Sequence, residues 1–378
     1  MKYSLRSCFA LLACLGMISC KPAAQNNDEI RIGEFASLTG KEAAFGTESH
    51  KGTQMAIDQI NAAGGVLGKQ IKLIVEDNQS KKGESAIIAR KLISRDKVVA
   101  LLGEVASGRS LEAASVCQQN SIPQVSPSST NPKVTETGNY IFRVCFIDPF
   151  QGTVMAQFVK SLNIRKIAML TDSGAAYSVG LGEFFRTKFL ADGGELVLDQ
   201  KYNSGDKDFK AQLTAIKAAN AEAIFIPGYY TEVGLIARQS RQLGLNIPMF
   251  GGDGWEAPEL VQIGGDALEG SYFSTHYSPE DKSTLIQNFV SQFRAKYNNQ
   301  TPDAMAALGY DSAQILVDAI RRAGSVEPDK IRAALASTKD YKAVTGIITI
   351  DENRNASKPA VVLTVKGGKY QYVQTVAP

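Results

Sequence analysis

The residues best suited to chemistry in this chain lie in Ser126-Pro-Ser-Ser-Thr-Asn-Pro132, directly after the apolar run Ile122-Pro-Gln-Val125. Four hydroxyls crowded between two prolines make an ordinary polar turn on one reading, since Ser, Asn and Pro are common turn formers. On the other reading they are a nest of neutral donors for an anion. Ser107, which ends Leu102-Gly-Glu-Val-Ala-Ser107, extends the same set. Hydroxyls and backbone N–H groups at a helix start can hold a carboxylate without an arginine, because the helix N-terminus adds partial positive charge. The second half of the chain offers the complement: Tyr177, Gly228-Tyr-Tyr230 and Asp253-Gly-Trp255. Ser107, Ser128 and Thr130 could cradle the negative end of a small zwitterion while Asp253 faces its ammonium. A buried charge needs such a partner. Phe45, Tyr177, Tyr229 and Trp255 could then wall an apolar pocket. Each residue keeps a plainer alternative. Ser107 and Thr130 could cap helices, Asp253-Gly254 could be a turn, and Phe45 and Tyr177 could be core aromatics.

Catalytic readings find little support. Serine nucleophiles need an adjacent base, and the chain has only two histidines, His50 at an expected helix start and His276 in an expected crossover strand. No Gly-x-Ser-x-Gly elbow, paired-cysteine metal motif or phosphate loop occurs, and Gly180-Leu-Gly182 lacks the third glycine of a dinucleotide fingerprint. The expectation is a binding protein that is not an enzyme and uses no cofactor and no metal.

The elements that must position these residues alternate strand and helix, which indicates an α/β protein with parallel sheets. Residues 30–35 read as a strand, 49–62 as a helix ended by Ala63-Gly-Gly65, and 71–75 as the next strand. Residues 166–170, a helix reaching 191, Asp192-Gly-Gly194 and 195–198 repeat that plan. Glycine at each helix end supplies the left-handed turn that stops it. Strands at 98–102 and 122–125 have counterparts at 223–226 and 247–250, each second strand opening on Ile-Pro. Two lobes of one design follow. In parallel sheets the loops after strand C-termini share one edge, where ligands bind, and every candidate residue falls on that edge. The helical stretch 279–336, the strands 347–350 and 359–365, and a hairpin turn at Lys366-Gly-Gly-Lys369 form a tail too small for a third domain. The tail is expected to complete both lobes, so that several crossovers form a hinge. The expected division is 29–148 with 277–354 in lobe one and 149–276 with 355–378 in lobe two.

Residues 1–19 read as an export signal: Lys2 and Arg6 precede a short apolar run too brief to span a membrane. It ends in Met17-Ile-Ser-Cys20, which resembles a bacterial lipobox and would make Cys20 an acylated N-terminus, with 20–28 as a tether. Periplasmic or cell-surface placement on a lipid anchor follows. With 41 basic and 38 acidic residues and no basic block, no nucleic-acid partner is expected. Cys117 and Cys145 would sit in an oxidising compartment, where a disulfide between them is expected.

Taken together, the stretches Gly52-Thr-Gln-Met-Ala-Ile-Asp-Gln-Ile-Asn-Ala-Ala-Gly-Gly65, Leu102–Ser107, Ser126–Pro132, Gly228–Tyr230 and Gly251-Gly-Asp-Gly254 resemble the leucine/isoleucine/valine-binding family of type I periplasmic binding proteins. The resemblance covers about 29–373. It implies two Rossmann-like lobes joined by three crossovers, a monomer that closes on an amino acid, and delivery to an ABC permease. It implies that Ser107 and Thr130 bind the carboxylate, that Ser128 contributes mainly backbone, and that Tyr177, Tyr229 and Phe45 line the cleft. Asp253 and the adjacent Gly254 stand where leucine binders carry the ammonium-binding glutamate, one methylene longer. Ala106 stands where the best-known members have a disulfide. A branched-chain or other apolar amino acid is the favoured ligand. A sensor of the same fold, or a binder of an amide, urea or aromatic carboxylate, is the alternative.

Overall fold

The structure is a computed structural model and describes residues 29–378. The expected signal segment, Cys20 and the tether lie outside the described residues. Two sheets organise the fold. The first contains β1 (Glu29–Ala36), β2 (Gln70–Asp77), β3 (Ala100–Leu102), β4 (Gln124–Ser126) and β5 (Ile141–Arg143) in the order β2-β1-β3-β4-β5, all parallel. The second contains β6 (Lys166–Asp172), β7 (Glu195–Tyr202), β8 (Ala223–Phe225), β9 (Met249–Gly251) and β10 (Tyr272–Thr275). A small sheet of β11 (Tyr341–Ala343), β12 (Gly346–Ile350) and β13 (Ala356–Ser357) comes next. Finally β14 (Ala360–Lys366) and β15 (Lys369–Val376) join the second sheet, giving the order β15-β14-β10-β9-β8-β6-β7. These last two strands run antiparallel, so the second sheet is mixed at one edge.

Helices α1 (Ala43–Ala62), α2 (Glu84–Ser94), α3 (Ser107–Gln119) and α4 (Lys133–Glu136) belong to the first βα array. Helices α5 (Asp148–Ser161), α6 (Ala176–Ala191), α7 (Lys210–Ala218), α8 (Tyr230–Gln242) and α9 (Pro258–Gly264) belong to the second. Helices α10 (Thr284–Lys296), α11 (Ala304–Ala323) and α12 (Pro328–Ala336) return to the first lobe. Strand alternation decides which face each residue feeds. Ile30, Ile32, Ala100 and Leu102 pack under α1, α11 and α12, whereas Phe35 and Leu101 pack under α2 and α3. The second sheet is likewise covered on both faces, by α5 and α6 and by α7 and α8. Burial on both faces is what parallel sheets require.

Helix α1 starts at Ala43, earlier than expected at 49, so Phe45 sits in its first turn and His50 in its interior rather than at its start. His50 there pairs with Glu34 (Nδ1–Oε2 2.6 Å), whose hydrogen bond raises the imidazole pKa. Close approach of α1 and α11 explains Gly52: a Cβ there would lie 1.8 Å from the Ala306 carbonyl oxygen.

The chain passes between the lobes three times, near 143–148, 275–284 and 357–360. The expected Cys117–Cys145 disulfide is not formed; both are free, buried thiols. Cys117 lies on α3 against Ile88 and Leu101, while Cys145 lies in the cluster of the opposite sheet face with Val125 and Leu316. The sheet separates the two sulfurs. Burial pushes both thiols above their ordinary pKa, Cys145 to about 12, so neither is a ready thiolate nucleophile.

Candidate ligand cleft

The hydroxyl turn divides into two pairs. Ser126 Oγ donates to the Glu104 carbonyl (2.7 Å), and Ser129 Oγ lies 2.9 Å from the same oxygen. Ser129 N–H donates to Ser126 Oγ (2.9 Å). These two serines tie the turn to the loop after β3. Ser128 and Thr130 take no part in that tie. Ser128 Oγ reaches across to Asp253 Oδ2 in the second lobe (3.4 Å), and Thr130 Oγ1 is buried without a well-formed hydrogen bond.

Behind the turn lies Arg143, fully buried on β5. Its guanidinium donates to the carbonyls of Ser129, Asn131 (2.8 Å) and Pro132 (3.3 Å) and to Thr135 Oγ1 (3.1 Å). Burial lowers its pKa below the usual value. The fork geometry of arginine suits this gathering of carbonyls, and it fixes the shape of the turn. Arg143 is a positioning residue that the sequence reading missed. The available signal was a lone cation inside Ile141-Phe-Arg-Val-Cys-Phe-Ile147, where burial demands partners.

Neither Ser107 nor Thr130 caps a helix. Ala106, with extended backbone, is the N-cap of α3, and Pro132, with helical backbone, is that of α4; no side chain caps either helix. Ser107, the first residue of α3, accepts from Asn131 N–H (3.3 Å). The first N–H groups of a helix have no partner within it, so α3 presents donors and partial positive charge beside Ser107.

Glu104 supports this loop from below. Its buried carboxyl accepts from Ser37 Oγ (2.5 Å), Ser37 N–H (2.9 Å), Asn78 Nδ2 (3.1 Å) and Ala106 N–H (2.6 Å). Burial, aided by the charge of Glu42, raises its pKa to about 7. An acid whose folded pKa lies above its unfolded value binds more protons when folded. Its contribution is complete below the unfolded pKa and is lost as pH rises through about 7. The melting temperature of the wild type is therefore expected to fall as pH rises from about 5 to about 8. Glu104→Gln should flatten that slope in a pH series of thermal melts; an unchanged slope would assign it to other groups.

In the second lobe, Asp253 and Gly254 open a 3-10 turn straight after β9. Gly254 N–H donates to Tyr177 Oη (3.0 Å), and a Cβ at Gly254 would lie 2.8 Å from both Tyr177 Cε1 and the Gly228 carbonyl. The turn thus passes directly over the tyrosines. Tyr177 and Tyr229 stack at 5.1 Å and 6°, and Phe45 of the first lobe meets Tyr229 edge-on at 5.5 Å. Met305, at the start of α11, shares the apolar cluster of Phe45 and was not foreseen. Trp255 corrects the sequence reading: it is core, with its indole N–H on the Ile226 carbonyl (2.9 Å) and its ring under Gly251, whose Cβ would lie 2.1 Å away.

Asp253 itself is 4% exposed. Its N–H donates to Gln151 Oε1 (2.8 Å). Oδ2 meets Ser128 and His276 Nε2 (3.1 Å), while Oδ1 is buried with no hydrogen bond. Burial lowers the His276 pKa to about 4, so its ring is neutral near pH 7. Among the described residues no Lys or Arg forms a salt bridge with Asp253. Neighbouring Asp148 is raised to about 8 by burial, the Asp253 charge adding to the shift. Among the described residues the hydrogen-bond donors to the Asp253 side chain are neutral ones, Ser128 and His276.

The lobes touch across the cleft. Tyr230 Oη donates to the Lys41 carbonyl (2.8 Å), and Asn131 Nδ2 donates to the Ala176 carbonyl (2.8 Å). A cavity of about 70 Å³ opens beside these contacts, walled by Lys41, Glu42, Ala106, Arg109, Ala176 and Tyr229; Asp253, Ser107, Ser128 and Thr130 do not line it. Ser107, Ser128, Thr130, Phe45, Ala106 and Asp253, Gly254, Tyr177, Tyr229 therefore come from two lobes to one closed interface.

The chain belongs to the periplasmic binding protein family, whose pattern matches residues 29–369. It is 32% identical over 352 residues to a Leu/Ile/Val-binding protein homolog of Brucella abortus, covering 92% of this chain and 94% of that protein. The crystal structure of a leucine binding protein, LivK, from Thermotoga maritima superposes with a TM-score of 0.89 at 42% identity, over 92% of this chain and 99% of that one. LivJ from Streptococcus pneumoniae, a branched-chain amino acid transporter substrate binding protein solved with isoleucine, gives 0.87 at 36% identity, over 93% and 100%.

Proposed function

We propose that this protein is the extracytoplasmic substrate-binding component of an ABC transporter and captures an α-amino acid, branched-chain or otherwise apolar, between its lobes. The observation that carries this reading is the buried carboxylate of Asp253, whose Oδ1 lacks any partner, facing a hydroxyl turn backed by a helix N-terminus. A zwitterion supplies both missing charges at once. Ser107, Thr130 and the backbone around Ser128 and Ala106 would take its carboxylate. Asp253, next to Gly254, would take its ammonium, and Phe45, Tyr177 and Tyr229 would enclose its side chain. The lobes divide at the three crossovers; the expected bounds 29–148 with 277–354 and 149–276 with 355–378 shift at the last one, because β13 (Ala356–Ser357) pairs with β12 and so stays with lobe one to about 357. Closure is stabilised by contacts the guest makes only in the closed form. The protein carries out no chemistry on its guest, and as a monomer it hands that guest to a permease. Cys20 carries the lipid that holds it at a membrane surface. The names of the similar proteins support the ligand class.

A thermal-shift screen against the proteinogenic amino acids, with benzoate and urea alongside, tests this reading. Leucine, isoleucine or valine is expected to give the largest upward shifts. Stabilisation by benzoate and by no amino acid would replace this reading with that of an aromatic-carboxylate binder.

A further inference from the structure

We propose that His276 is a positioning residue for ligand recognition: its Nε2–H holds Oδ2 of Asp253, so that Oδ1 is the oxygen presented to the guest's ammonium. The inference rests on the amino-acid reading above and names the group that makes a short carboxylate selective for amines. Both donors to the Asp253 side chain, His276 Nε2 at 3.1 Å and Ser128 Oγ at 3.4 Å, fall on the same oxygen. The other oxygen, equally buried, has none. A carboxylate free to rotate would share its donors between its oxygens. Here the donors pin one edge and leave the other for the guest.

The imidazole cannot swing away. It is 1% exposed and stacks on Phe146 at 3.8 Å between ring centroids and 27° between planes. Its backbone follows β10 directly into the second crossover, while Phe146 lies in the first. The ring therefore joins two of the three hinge segments to the residue proposed to bind the amine. Its chemistry fits the task. Lysine in this place would neutralise Asp253 and compete with an incoming ammonium. An imidazole that stays neutral, as burial ensures, donates a hydrogen bond and leaves the full negative charge for the guest. Nδ1 makes no hydrogen bond, in keeping with the tautomer that carries its proton on Nε2.

The test is calorimetric titration of wild type, His276→Leu and His276→Gln with L-leucine and with 4-methylpentanoate, which is leucine without its amine. A hydrogen bond to a charged group corresponds to about 10- to 100-fold in affinity. His276→Leu is expected to lose that factor for leucine and nothing for 4-methylpentanoate. His276→Gln, whose amide nitrogen reaches a similar place, is expected to recover most of the leucine affinity, and it guards against misfolding of the leucine variant. Equal weakening of both ligands by His276→Leu would reduce the residue to a structural role and overturn the proposal, as would unchanged leucine affinity. A wild type that binds 4-methylpentanoate and not leucine would overturn the amino-acid reading itself, a different outcome from either.

Discussion

Replacing Asp253 with alanine is expected to weaken amino-acid binding by roughly 3–5 kcal/mol, the cost of leaving one member of a buried ion pair without its partner. In dissociation constants this is a loss of roughly 150-fold to several thousandfold. Asp253→Asn should lose nearly as much, because it keeps the side-chain shape but not the charge. The size of the effect comes from the surroundings. His276 is neutral, no Lys or Arg among the described residues pairs with Asp253, and Asp148 is held protonated near neutral pH. Asp148 also sets the lower end of the range: without the Asp253 charge its own pKa falls, and it becomes a partial substitute anion. Titration calorimetry with leucine measures the loss, and a change below about threefold would remove Asp253 from the site.

Replacing Arg143 with methionine is expected to damage both fold and binding. Four oxygens lose their donor, three of them backbone carbonyls of the hydroxyl turn. Unpaired buried polar groups cost about 1–3 kcal/mol each before relaxation. Partial relaxation and the apolar gain of methionine leave an expected destabilisation of roughly 3–5 kcal/mol. Chemical denaturation measures this, and leucine affinity should fall as well, because Ser128 and Thr130 are then displayed on a loose loop. A variant as stable as wild type would show that the turn holds its shape without the guanidinium.

The difference between these two residues shows what a sequence can disclose. Asp253 was legible because it follows a strand: period and position put it on the sheet edge where ligands bind. The same logic reached Ser107, Thr130, Tyr177 and Tyr229. Arg143 and His276 were not legible, since their partners are 8 to 14 residues away in one case and 23 residues away in the other. Only the folded chain brings those carbonyls and that carboxylate together. The parallel sheets were readable from alternating apolar strands and Gly-ended helices, but the antiparallel β14 and β15 were not, because alternation carries no direction. Cys117 and Cys145 misled for a related reason. Their compartment permitted a disulfide, while their placement on opposite faces of one sheet forbids it. The start of α1 was expected at 49 because the glycine-containing segment before it reads as loop, whereas the helix begins at Ala43. Tertiary packing overrides that local preference: a Cβ at Gly46 would lie 2.0 Å from the Ser37 carbonyl. Trp255 sat on the correct edge in sequence yet turned inward, because an indole N–H buried beside β8 can satisfy itself on the Ile226 carbonyl.

The proposed recognition requires opposite charges to be met from opposite lobes, and one comparison tests it directly: calorimetric titration of the wild-type protein with L-leucine, leucinamide and 4-methylpentanoate under identical conditions. Leucine, which carries both charges, should bind at least about 100-fold more tightly than either analogue lacking one of them. Equal affinity for leucine and 4-methylpentanoate would mean that no acid in the cleft receives an amine, and would contradict the account.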